Sequence, residues 1–310
     1  SLLITTSSFR MKYTRLAAID IGSNSVRLLV TNAIMDGKEV LFKKASLNRL
    51  PIRLGEDAFM RGKISPRNTE RLLWGMEAFE RIMRVNGVEG YRACATSALR
   101  ESSNGPALIQ QIKEKTGIPI ESISGLEEAS LLFSSDVLGQ YKTDGEAFLY
   151  MDVGGGSTEF TLLQDGLPVT SRSFQLGTIR VLQNMDAKSE WKEMRSWLKE
   201  ITKGIDDLAM IGSGGNINRL FKMSGKPLGV PISLDYLEGQ YVFLKKFTKE
   251  ELIKRLDLNI DRADVIVPAC KIYISAMEWA SSNKMFVPKM GLSDGIVRDL
   301  YFHREKWIKP

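Results

Sequence analysis

The spacing of apolar and polar residues lays out most of the elements of this chain. Leu16 to Asp20 is a short apolar run, Ile21 to Ser25 is rich in glycine and small polar residues, and Val26 to Val30 is apolar again. That pattern predicts strand, tight turn, strand. Asp36-Gly37 offers a hairpin turn before a further strand, Val40 to Leu47, so the chain opens as an antiparallel meander rather than a strand-helix-strand unit. Ser65-Pro66 supplies a cap and first-turn pair, and Leu72, Leu73, Met76, Phe79, Ile82 and Met83 follow at three-to-four spacing until Gly87, which predicts a helix. Tyr91 to Thr96 reads as a strand, Pro106 to Lys115 as a helix stopped by Gly117, Ile120 to Ile123 as a strand and Glu127 to Leu138 as a helix.

After a polar stretch, Tyr141 to Glu146, the opening pattern returns. Phe148 to Asp152 is apolar, Val153 to Ser157 is glycine-rich, Thr158 to Leu163 reads as a strand, and Asp165-Gly166 is another hairpin turn. Asp20 and Asp152 stand 132 positions apart, each followed by an apolar residue, a glycine and a small-residue turn. A repeat of about half the chain predicts two similar domains facing each other across a cleft. The second half is the more helical, with helices expected at Glu190 to Leu208, Asn216 to Met223, Leu234 to Lys245, Lys249 to Leu256 and Asp264 to Trp279, and short strands at Ala209 to Gly212 and Met285 to Val287.

Composition narrows the chemistry. The 310 residues are 43% hydrophobic and 26% charged, which suits two domains with cores of their own. The net charge of +6 has no lysine or arginine block behind it, so neither a nucleic-acid nor a membrane partner is expected. Cys94 and Cys270 form no CxxC pair, sit in apolar contexts and read as buried small hydrophobes of a reducing compartment. No apolar run reaches the roughly 20 residues of a membrane helix, and a cytoplasmic location is expected. The single histidine, His303, lies beside Arg304, Glu305 and Lys306 and reads as an exposed helix-end residue, which excludes Ser-His-Asp triads and multi-histidine metal sites.

The candidate chemistry lies in the glycine-rich turns. Backbone amides in such turns can hold phosphate oxygens with no side chain in the way. The first turn is Asp20-Ile21-Gly22-Ser23-Asn24-Ser25, with Arg27 two residues on; the second is Asp152-Val153-Gly154-Gly155-Gly156-Ser157-Thr158-Glu159. Either alone is compatible with a plain hairpin, whereas the two together point to a phosphate chain gripped from both sides. A third element, Ile211-Gly212-Ser213-Gly214-Gly215-Asn216, reads equally as an anion site at a helix N-terminus or as an ordinary strand-to-helix loop. No P-loop and no GxGxxG is present.

These segments, with Arg53-Leu-Gly-Glu, Ala95-Thr-Ser-Ala-Leu-Arg100 with Asn104, Ser124-Gly-Leu-Glu-Glu-Ala129, Arg262-Ala-Asp264 and Leu292-Ser-Asp-Gly-Ile-Val-Arg-Asp299, resemble in order the exopolyphosphatase and guanosine pentaphosphate phosphohydrolase family in its short form. The resemblance implies an α/β fold of two actin-like (ribonuclease H-like) domains facing across a cleft. Domain I is expected over 12–125, domain II over 126–295, and a C-terminal helix of about 296–310 is expected to pack back on domain I. The resemblance assigns the catalytic base to Glu128; read from the residues alone, Glu127 and Glu128 are equally first-turn carboxylates favouring a helix dipole. It also implies Mg2+ held by Asp152 and Glu159 with help from Asp20, whose other reading is a cap on its own turn. Phosphate contacts are expected from Gly22, Ser23, Asn24, Ser25, Arg27, Arg100, Gly154, Gly155, Gly156, Ser157, Thr158, Gly214, Gly215 and Asn216. Arg298 is a weaker candidate whose other reading is solvation. Leu126 and Asp299 depart from the residues common there.

The expected activity is removal of the terminal phosphate of inorganic polyphosphate. The alternatives are hydrolysis of guanosine pentaphosphate, a non-hydrolytic nucleotide or alarmone sensor, and a sugar kinase, for which no acceptor pocket is found. The resemblance also implies a homodimer.

Overall fold

A computed structural model describes residues 13–37, 39–132, 147–184, 188–288 and 290–310. β1 (Tyr13–Ile21), β2 (Val26–Asp36), β3 (Glu39–Leu50), β4 (Gly90–Ala95) and β5 (Glu121–Ser122) form a sheet in the order β3-β2-β1-β4-β5. β6 (Ala147–Val153), β7 (Thr158–Gln164), β8 (Leu167–Phe174), β9 (Ala209–Ser213), β10 (Ile232–Ser233) and β11 (Lys284–Phe286) form a second, ordered β10-β11-β9-β6-β7-β8. In each sheet the first strand pairs antiparallel with the second and parallel with the fourth, and the second pairs antiparallel with the third.

The repeat runs deeper than its glycines. Gly22 N donates to Ser25 O at 3.1 Å and Gly154 N to Ser157 O at 2.9 Å, closing the same turn in both halves. Asp20 faces Arg27 across the first hairpin, and Asp152 faces Glu159 across the second. The pairing register slips between Val30 and Thr31 in one sheet and between Leu162 and Leu163 in the other, again 132 residues on. Each half therefore carries the same bulge, which bends its hairpin.

β1 is buried on both faces. Ala17, Ile19 and Ile21 enter the core beneath the helix Pro66–Val85, while Leu16 and Ala18 meet Leu292, Ile296, Val297 and Leu300 of the helix Leu292–Phe302. β6 is divided likewise, with Leu149, Met151 and Val153 on one side and Phe148 and Tyr150 on the other. Strands covered on both faces read as continuous apolar runs, which is why both were visible in the sequence. Cys94 and Cys270 are buried free thiols, and burial pushes both up to about 12. Among the described residues no helix is long and apolar enough to cross a membrane.

Several boundaries differ from those expected. The last helix starts at Leu292 rather than 296, because Gly291 N donates to Asp294 Oδ2 at 2.9 Å and caps it there. It ends at Phe302, and the chain returns through Ile308, which pairs with Tyr91 beside β4. The helix expected to reach Leu208 stops at Ile201, ahead of left-handed Gly204 (φ 76) and Asp207 (φ 51). The helix expected from Asp264 is split into Ile260–Ala263 and Ile266–Trp279. Of the helix expected over 127–138, Gly125–Leu132 is observed and 133–138 lie outside the described residues, as do 141–146. The helices Leu54–Arg61, Ser97–Glu101 and Thr178–Leu182 were not foreseen, being too short to display a period.

Packing contacts join the halves among the described residues. The helix Gly125–Leu132 packs on β7 and β8 and also on the helix Leu292–Phe302. Gly295 permits that approach: a Cβ there would stand 2.1 Å from the Leu131 carbonyl oxygen. Further along, the helix Leu54–Arg61 is pinned to the first turn by Arg53 N to Asn24 O at 3.1 Å and Gly55 N to Ser23 O at 2.8 Å. It delivers Phe59 against Gly156 of the second turn, where a Cβ would lie 1.6 Å from the ring. Arg180 lies over the Phe59 ring at 5.5 Å and donates through Nε to Gly156 O at 2.8 Å. A methyl group at Gly156 must displace the ring, an overpacking cost of about 1–3 kcal/mol. Gly156→Ala is expected to destabilise the protein by that amount in denaturant unfolding, and by less than half as much in a Phe59→Ala background. Equal costs in both backgrounds would refute the contact.

Candidate active site

The two hairpin turns meet across a cavity of about 310 Å3. Each is held open by its first glycine. A Cβ on Gly22 would approach Ser25 O to 3.2 Å, and one on Gly154 would approach Ser157 O to 3.1 Å. The cavity brings together Asp20, Gly22, Ser23, Asn24, Ser25 and Arg27 from the first half, Glu128 from the connecting helix, and Asp152, Gly154, Gly155, Ser157, Glu159, Gly214, Gly215 and Asn216 from the second. Gly214 adopts φ 103 beside Asp152, whose Oδ1 would be 3.0 Å from a Cβ there, so a side chain at 214 is excluded twice over. The third glycine element is thus part of the cavity wall, and Asn216 Oδ1 is buried in it without a hydrogen-bond partner among the described residues.

Three expected phosphate ligands do not line this space. Gly156 is covered by Phe59. Thr158 is fully buried, and its hydroxyl donates to the Leu176 carbonyl. Arg100 is drawn aside: Nη1 donates to Ile123 O at 2.6 Å and Nη2 lies 3.4 Å from Glu159. Arg298 stacks over Phe42 at 4.9 Å and is likewise absent from the lining. Other residues line it that the sequence did not mark as ligands, among them Lys44, Arg49, Thr96, Ser97 and Arg262. Thr96, Ser97 and Arg262 stood within segments that carried the family resemblance, whereas Lys44 and Arg49 look like any polar positions of an edge strand.

The adjacent acids Glu127 and Glu128 part company. Ser124 Oγ accepts from Glu127 N at 3.2 Å and starts the helix. Glu127 then turns outward to Arg92, 2.9 Å away, which also holds Glu121 at 2.7 Å and Asp299 at 3.4 Å. Successive helical residues are about 100° apart, so anchoring Glu127 to Arg92 directs Glu128 into the cavity. Glu128 is 6% exposed, and its Oε2 has no hydrogen-bond partner among the described residues. The bland reading of the pair thus holds for Glu127 and not for Glu128.

Burial dominates the electrostatics. It raises Glu128 well above the usual carboxylate range, and Glu159, Asp152 and Asp20 add repulsion. Asp152 rises to about 7, first through burial and then through Glu159, with Arg27 opposing. Asp20 is raised by burial and partly relieved by Arg27, whose Nη1 lies 3.5 Å from its Oδ2. Asp20, Asp152 and Glu159 all line the cavity, yet among the described residues no three acidic, histidine or cysteine side chains are grouped so as to hold a metal ion.

Residues 33–303 match the Ppx/GppA phosphatase family. Exopolyphosphatase 1 of Mycobacterium tuberculosis H37Rv is 25% identical over 303 residues, covering 91% of this chain and 87% of that protein. A bifunctional 3-dehydroquinate synthase/phosphatase of Fusobacterium nucleatum is 28% identical over 269 residues, covering 80% of this chain but only 39% of that protein. In fold, the chain superposes on the crystal structure of an exopolyphosphatase from Cytophaga hutchinsonii with a TM-score of 0.78 at 24% identity, over 93% of this chain and 97% of that one.

Because burial makes Asp152 hold its proton up to about pH 7, its contribution to stability depends on pH. The unfolded chain loses this proton near 3.8 and the folded protein only near 7, so stability falls as pH rises between those values and is flat above them. Asp152→Asn is therefore expected to raise the melting temperature of the cation-free protein by several degrees at pH 8, with the gain shrinking to nothing near pH 4. Thermal melts across that range check it; a gain independent of pH contradicts the assignment.

Proposed function

We propose that the chain, which belongs to the Ppx/GppA phosphatase family, is an exopolyphosphatase that hydrolyses the terminal phosphoanhydride of inorganic polyphosphate and releases orthophosphate. One observation carries the reading above all: Glu128 is a buried carboxylate with an unpartnered oxygen, on the wall of a cavity walled by two glycine turns. The names of the relatives agree with that chemistry.

In this reading the terminal phosphate lies between the turns. The amides of Gly22 and Gly154 are spent on closing their own turns. Donors come instead from the amides of Ser23, Asn24 and Gly155, from the hydroxyls of Ser25 and Ser157, and from the Arg27 guanidinium. Glu128 accepts a proton from a water molecule as its oxygen attacks phosphorus in line. The bond from phosphorus to the bridging oxygen breaks, the electron pair stays on the shortened chain, and the proton passes from Glu128 to the products. No covalent intermediate is required. Positioning and charge stabilisation supply the catalysis.

Asp152 and Glu159, with Asp20 behind them, offer the hard oxygen donors that a divalent cation such as Mg2+ takes. Mg2+ keeps several waters and draws other ligands from phosphate, so one or two carboxylates suffice to hold it. Bound there, it would screen the phosphate charge and lower the repulsion that burial imposes on Glu128.

Glu128→Gln is expected to lower phosphate release from long-chain polyphosphate by about 10²- to 10⁴-fold, the usual weight of a general base, while the variant still binds polyphosphate. Release from guanosine pentaphosphate is measured in parallel, with and without Mg2+. Unchanged turnover in the variant would sink the role of Glu128. Turnover of the nucleotide alone would replace the substrate, and no release from either would favour a sensor.

A further inference from the structure

Beside the cavity, and sharing Asn218 and Arg262 with it, lies a second hollow of about 340 Å3. The helix Gly215–Ser224 begins at the first cavity, where Gly215 lies so close to Arg262 that a Cβ would stand 2.8 Å from its guanidinium, and leads away from it. Asn218 and Lys222 are one turn apart on this helix and share a face, with Arg219 beside them. The opposite wall is Asp257 and Asn259. Left-handed Asp257 (φ 50) ends the helix Lys249–Leu256 and turns the chain, and Arg262 N then donates to Asn259 O at 2.9 Å.

Three cations, Arg219, Lys222 and Arg262, thus face one carboxylate, Asp257. Arg219 is fixed by donating through Nη2 to the Leu256 carbonyl, and its Nε is buried without a hydrogen-bond partner among the described residues. A guanidinium already held in place loses less freedom on binding, and its fork matches paired phosphoryl oxygens. Among the described residues no aromatic side chain lines the hollow on which a nucleobase could stack.

We infer that this hollow is a second anion subsite, which takes phosphoryl groups of the same chain beyond the one being hydrolysed. Arg219 and Lys222 then set the preference for long polyphosphate over short. This rests on the reading of the first cavity as the place of hydrolysis. The chain runs from the glycine turns past Asn218 and Arg262, which line both spaces, and each internal phosphate brings a negative charge to the cations beyond.

The test is the doubly substituted Arg219→Gln/Lys222→Gln protein, compared with wild type on long-chain polyphosphate and on tripolyphosphate. KM for the long chain is expected to rise by about tenfold for each cation removed, the weight of a charge-assisted contact. The KM for tripolyphosphate and both kcat values should stay as they are. Lys222→Arg keeps the charge and should keep the long-chain KM, and an unchanged melting temperature excludes misfolding. Equal rises for both substrates, or no rise for either, overturn the subsite. So does a loss of affinity for guanosine pentaphosphate with none for polyphosphate, which would make the hollow a nucleoside pocket. Direct binding of long polyphosphate, measured by equilibrium titration of the same proteins, separates the two claims. If wild type releases no phosphate but the variant binds the long chain more weakly, the subsite stands and the hydrolytic reading falls.

Discussion

Four carboxylates line one cavity, and much of what surrounds them answers to that constraint. Asp20, Glu128, Asp152 and Glu159 come from both halves and from the helix between them. An unpaired buried charge costs several kcal/mol even after relaxation, so repulsion works to push the halves apart. The ties across the boundary oppose it. Arg53 meets Asp264 at 3.2 Å, and Arg100 meets Glu159 at 3.4 Å. The apolar contacts at Phe59 and Gly295 add shape to charge. Arg27, beside Asp20, is the cation that makes the gathering tolerable.

How much of this could be read from the chain depends on how far apart the interacting residues lie. The turns, the repeat and the double burial of β1 and β6 are local, and their residues announce them. Glu128 was separable from Glu127 only through the family resemblance, because the difference between them is made by Arg92, 36 positions before Glu128 and in no motif. Gly156 misled most: in a run of three glycines it looks like one more phosphate contact, yet its missing side chain serves Phe59 from the other half. Thr158 misled for the same reason, since the Leu176 carbonyl that takes its hydroxyl lies 18 residues on. Arg100 was expected at the phosphate and instead neutralises Glu159. In each case a residue chosen for its own chemistry is claimed by a partner that only the tertiary structure supplies.

Arg92 illustrates how a site can be aimed from behind. It is 6% exposed, it is not among the residues lining the cavity, and it joins β4, β5, the helix of Glu128 and the last helix through three carboxylates. Asp299, the departure noted in the sequence, is one of these three, and it also binds Lys306 at 2.9 Å. Asp299 thus belongs to the network that holds Glu127 and the helix carrying it.

The repeated hairpins differ in one decisive letter. Opposite each turn-leading aspartate, the first half places Arg27 and the second half Glu159, at ladder positions that the repeat makes equivalent. Two copies of the first hairpin would make a cleft with two arginines balancing two aspartates, and two copies of the second would make one with four acids and no counter-charge. The single inversion of sign turns a near-twofold object into a polarised one. A symmetric anion placed between the turns therefore meets an arginine on one side and an extra carboxylate on the other, and has a front and a back.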